Sequence, residues 1–116
     1  MQLAAIVLAF AALGGLTLAV IRLKGAPYPP LWLALGHGAV AAAGVGLLIY
    51  AAISPGIPGL AQVALGIFIV AAFGGAVLLL GFHLRGKALP IPFVLGHGLI
   101  AATGFILLLL SLFEIA

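Results

Sequence analysis

The chain has 116 residues, of which 67% are hydrophobic and 4% charged, with a formal net charge of +3 and no cysteine. Soluble domains carry about 25% charged residues, so this composition excludes a water-soluble fold and points to an integral membrane protein with a single domain over residues 1–116. The missing cysteines exclude disulfides and thiolate ligands, and four basic residues divided between two short loops are a topology signal rather than a nucleic-acid footprint.

Crossing a hydrocarbon core of about 30 Å as helix takes about 20 apolar residues, and four stretches qualify. The first covers residues 2–22. Its apolar start lacks the positive charge that opens a secretory leader. Its continuation, Ala11-Ala12-Leu13-Gly14-Gly15, recurs as Ala71-Ala72-Phe73-Gly74-Gly75, so a retained first helix is expected. The run Lys24-Gly25-Ala26-Pro27-Tyr28-Pro29-Pro30 ends it, because proline suits a first helical turn and breaks a helix interior. The second span covers 31–52 and stops at Ser54-Pro55-Gly56-Ile57-Pro58-Gly59. The third covers 59–82 and the fourth 91–113, separated by a segment running from Arg85-Gly86-Lys87 to Pro90-Ile91-Pro92. Tyr28, Trp32 and Tyr50 fall at span boundaries, where amphipathic rings are favoured.

Arg22 and Lys24 flank the first loop, Arg85 and Lys87 the third, and the middle loop is uncharged. The positive-inside rule then places loops one and three in the cytoplasm and both termini outside. The expected setting is a bacterial or archaeal inner membrane. Glu114, the only acid, is too terminal for the role of a membrane carboxylate.

An internal repeat organises the chain at an offset of 60 residues. Gly14 and Gly15 match Gly74 and Gly75, Pro30 matches Pro90, and Leu35-Gly36-His37-Gly38 matches Leu95-Gly96-His97-Gly98. Ala41, Ala42 and Gly44 match Ala101, Ala102 and Gly104. In the loops the register slips by one, so that Arg22-Leu23-Lys24-Gly25 parallels His83-Leu84-Arg85-Gly86. The unit is a helical hairpin, residues 2–52 and then 59–113, in the same direction both times. The expected fold is an all-α four-helix membrane bundle of two tandem hairpins, related by a pseudo-two-fold axis along the membrane normal. Helices one and three, and helices two and four, would then stand diagonally opposite.

Histidine inside an apolar span is costly and marks a working site. His37 lies seven residues past Pro30 and Gly15 seven before Arg22, so both fall at about 10 Å depth on antiparallel neighbours. The same counting sets Gly75 beside His97. Two imidazoles, one from each half, suit the two faces of a haem iron, and His37 and His97 are the expected metal ligands. Gly14, Gly15, Gly74 and Gly75 would give the porphyrin room, as would Gly44 and Gly104 one heptad beyond the histidines. Arg22, Lys24, Arg85 and Lys87 would meet the propionates. Bis-imidazole ligation leaves iron no open position, which favours electron transfer. Two other readings stay open: a small transporter or channel in which the histidines relay protons, and a structural subunit whose Gly-Ala faces pack into a larger complex. His83 has no histidine counterpart and is expected at the membrane interface near the end of helix three, beside a propionate or a quinone head group or as a plain helix-end cation. The phenylalanines are expected to face lipid or the core, with Phe73 and Phe93 as candidates for a porphyrin face.

This architecture resembles the membrane b-type cytochromes, including cytochrome b561-like proteins and the cytochrome b anchors of respiratory enzymes. The resemblance covers four helices, His37 and His97 on alternate helices, and glycines facing the haem. Many such proteins carry four histidines for two haems; one matched pair here implies one haem b per chain. The resemblance implies electron transfer at the membrane, with a quinone as a candidate partner. With no extramembrane domain, an electron carrier or redox subunit is expected rather than a self-sufficient enzyme, working with a redox partner subunit or as a homo-oligomer. Small multidrug-resistance transporters and the tandem-hairpin proteolipids of rotary ATPases share the length or the Gly-Ala texture, but both need a carboxylate that these spans lack.

Overall fold

Each apolar stretch forms one helix in a computed structural model that describes residues 1–113. The expectation placed on Glu114 lies outside the described residues. Helix α1 runs Gln2–Leu23, α2 Leu31–Ile53, α3 Gly59–Gly81 and α4 Ile91–Phe113. All four are long and apolar enough to cross a membrane.

Local chemistry sets the helix ends. Pro30 and Pro58 are the N-cap residues of α2 and α3, where a missing N–H costs nothing because the first donors of a helix have no intrahelical acceptor. Their carbonyls accept the first bonds, from the Ala34 N–H at 3.2 Å and the Gln62 N–H at 3.0 Å. Gly25, at φ +112°, turns the chain out of α1 in a conformation that side chains resist. The two hairpins part company here. Helix α3 stops at Gly81, and His83–Arg85 form a 3-10 turn. Gly86 closes that turn at φ +67°, with its N–H on the His83 carbonyl at 3.1 Å. The one-residue slip between the repeats is this extra turn.

The helices form a bundle 46 Å long and 19 Å across in both other directions. Helix α1 packs most extensively on α2, and α3 on α4; α1 meets α4 and α2 meets α3 along narrower faces. Helices α1 and α3, and likewise α2 and α4, therefore face each other across the diagonals. Small residues set the close approach. Gly44 of α2 receives the Leu8 side chain of α1, and a Cβ there would stand 2.6 Å from Leu8 Cγ. Gly104 of α4 receives Ile67 and Phe68 of α3 in the same way, with a would-be Cβ 3.1 Å from Ile67 Cγ2.

The buried core is divided along the bundle. Ala4, Ala5, Leu8, Leu48, Ala61, Ala64, Phe68 and Leu108 fill the half away from loops one and three. Leu78, Leu89 and Val94 form a smaller cluster at the loop end. The layer between them holds His37, His97 and the glycine pairs of α1 and α3. Outward, the surface is apolar: Trp32, Phe73 and Phe113 are each more than 70% exposed. Loops one and three lie at the same end and are fastened together. The Leu89 N–H donates to the Pro27 carbonyl at 2.9 Å, and Arg22 Nε donates to the Leu89 carbonyl at 2.8 Å.

Candidate functional site

His37 stands in the second turn of α2 and His97 in the second turn of α4, so diagonal helices aim both rings at one layer. The ring centres are 6.2 Å apart and the planes cross at 85°. Both residues are half-buried.

The glycines of the neighbouring helix make room for the rings themselves. A Cβ on Gly15 would lie 2.9 Å from His37 Cε1, and one on Gly14 would lie 3.6 Å from His37 Cβ. In the second hairpin a Cβ on Gly75 would lie 3.2 Å from His97 Cε1, and one on Gly74 would lie 3.5 Å from His97 Nδ1. Each imidazole thus lies against a helix backbone. His37 Nδ1 is 2.8 Å from the Ala11 carbonyl oxygen, one turn before Gly15. That oxygen keeps a lone pair beyond its own helix bond. With the proton on Nδ1, Nε2 is the free lone pair. His97 Nδ1 is turned towards the Ala71 carbonyl, the position matching Ala11, but falls short of hydrogen-bond geometry and is buried without a partner.

The remaining expected residues fall into separate groups. Gly44 and Gly104 serve the α1–α2 and α3–α4 contacts described above, in the filled half of the core. Arg22 is half-buried and spent on backbone carbonyls, Leu89 at 2.8 Å and Ala26 at 3.3 Å. Lys24, Arg85 and Lys87 are exposed at the same end. That end is the one nearer the histidines, since His37 is six residues, or about 9 Å of helix, from the start of α2. Gly36, Gly38, Gly96 and Gly98, which flank the histidines in sequence, face open space. Phe73 is 71% exposed, and Phe93 is 55% exposed and packs edge-on against Phe82. Neither is directed into the histidine layer, because each lies on the outer side of its helix.

The geometry of the pair bears on whether it can hold haem iron. Metal–imidazole bonds are about 2.0 Å and the ring centre lies roughly 1 Å beyond each nitrogen, so two imidazoles across one ion have centres about 6 Å apart. The observed 6.2 Å matches. A carbonyl on the opposite ring nitrogen is the usual device that fixes the tautomer of a ligating histidine. Donor type and ring spacing fit one ion shared by the two imidazoles.

His83 lies just past α3 at the loop end, as counted from the sequence, but its side chain is packed: it is 8% exposed, and its ring lies 5.2 Å from that of Tyr28, tilted by 38°. The signal was the slipped register itself: one extra residue before Gly86 winds the chain into a turn that carries His83 inward.

No family model, no curated protein and no solved structure matches this chain.

Proposed function

We propose that the chain is a membrane electron carrier or redox subunit that holds one haem b between His37 and His97, loops one and three facing the cytoplasm, its two hairpins related by a pseudo-two-fold axis. The observation that carries this reading is the 6.2 Å separation of the two rings, one from each hairpin. His37 and His97 would hold the group, and haem bound there would supply reversible one-electron transfer.

The chain's own residues do the holding. The Ala11 carbonyl favours the His37 tautomer with the proton on Nδ1, which leaves Nε2 as the lone pair that would bind iron. His97 Nδ1 has no such partner among the described residues, and the Ala71 carbonyl is the group that would fix its tautomer. The glycine pairs let each ring lie against a helix backbone. Lys24, Arg85 and Lys87 are exposed at the end nearer the histidines, where they would attract the carboxylates of a bound amphiphile.

The test is an absorbance spectrum of the purified, dithionite-reduced protein. Wild type is expected to give sharp α and β bands, and His37→Ala or His97→Ala to abolish them. Colourless wild-type protein after expression with ample haem would contradict the proposal; pH-dependent flux in liposomes from such protein would support a proton-relaying transporter instead.

A further inference from the structure

At the loop end, apart from the histidine pair, lies a second place built for a ligand. The 3-10 turn and loop one border an open groove of about 590 Å³. Its walls are mainly apolar, with Ile21, Pro29, Pro30 and Leu31 on one side and Leu84 on the other. Two polar side chains line it, Tyr28 and His83. His83 is more than nine-tenths buried, yet neither of its ring nitrogens has a hydrogen-bond partner among the described residues. The ring lines this pocket and its nitrogens keep some accessible surface, so it is open to a hydrogen-bonding ligand there.

The charge around the mouth says which acceptor. Leu84 and Gly86 of the wall bracket Arg85, and Lys87 follows; Ala26 of the opposite wall is two residues from Lys24. Arg22 bonds to the carbonyl of that same Ala26. No acidic residue occurs anywhere in residues 1–113. The lining itself is mainly apolar, and the loops that frame it carry basic residues and no acidic one. That combination suits a molecule with an anionic head and a hydrocarbon tail, and basic clusters at the end of membrane helices recruit such lipids.

We infer that this groove binds one anionic phospholipid, with its phosphate accepting a hydrogen bond from His83 and its glycerol and upper acyl chain against the proline wall. The site is independent of any group bound between His37 and His97. The imidazole contact is charge-assisted, and such contacts are worth roughly one to two powers of ten in affinity.

The experiment uses the full chain in detergent with dioleoyl phosphatidylglycerol, dioleoyl phosphatidylcholine or inorganic phosphate as probe, read by native mass spectrometry and by ¹⁵N-histidine NMR. One phosphatidylglycerol should stay bound per chain and move the His83 ring nitrogen resonances. Phosphatidylcholine should be retained about tenfold less. His83→Ala and the shape-keeping His83→Gln should each lose phosphatidylglycerol retention by about tenfold or more, with the optical spectrum of the His37–His97 site unchanged. If neither variant folds, the wild-type NMR arm still decides. Equal retention of both lipids, an unmoved His83 signal, or undiminished binding in folded His83→Ala would overturn the inference. A matching response to inorganic phosphate would assign the groove to a free oxyanion and overturn the lipid assignment.

Discussion

Among single residues, glycines separate the account most sharply, because their neighbours differ so much. A methyl on Gly15 would stand 2.9 Å from His37 Cε1, so the ring must move. Overpacking of this kind costs about 1–3 kcal/mol, and here it falls on the ring that is to bind. Gly15→Ala is expected to broaden or remove the α band; Gly75→Ala, with 3.2 Å to His97 Cε1, should have a milder effect. Gly36→Ala and Gly96→Ala place their methyl in open space. They should leave the spectrum unchanged and raise helix stability by up to about 1 kcal/mol. A set of spectra across the four variants checks the ordering, and equal effects at positions 15 and 36 would refute it. Residue counting from the loops was enough to set Gly15 beside His37. It could not tell whether the notch holds a porphyrin edge or the imidazole itself, since both need the same missing side chain. The prominent glycines of the Leu-Gly-His-Gly blocks turned out to face away from the site, because neighbours in sequence point in different directions around a helix.

For the helices, proline and glycine clusters made the boundaries legible to within about one residue, since each cluster imposes a backbone that helix cannot continue. Hydrophobic periodicity had little to offer, as all faces of these helices are apolar. The roles of Gly44 and Gly104 were therefore hidden. They lie on the histidine-bearing face in sequence, but a heptad is about 10 Å of helix, which carries them out of the histidine layer and into the packed half. There the contact with Leu8 is tight, and Gly44→Ala is expected to lower stability by about 1–3 kcal/mol, visible as a reduced thermal midpoint in detergent. Gly104→Ala should lose less, because its nearest contacts stand at 3.1 and 3.3 Å rather than 2.6 and 2.7 Å. A larger loss at 104 than at 44 would show that the helix contacts are assigned wrongly. The buried turn at His83 was unreadable for a related reason: only the slipped register marked it, and a slip does not say which way the chain folds.

At the scale of the whole molecule, the two hairpins present their basic loops at one end, fastened by the Arg22–Leu89 and Leu89–Pro27 bonds. With no native cysteine, orientation can be read cleanly by labelling. In intact cells, Ser54→Cys should react with an impermeant maleimide and Ala88→Cys should react only after permeabilisation; the reverse pattern would invert the proposed topology. The whole account meets at one place, the interior layer where the hairpins each contribute one imidazole. Titrating haem into purified apo-protein tests this most directly. The expected result is saturation at one haem per chain with a low-spin spectrum, and no such species in His37→Ala or His97→Ala. Failure to saturate, or a low-spin complex that survives loss of either histidine, would contradict it.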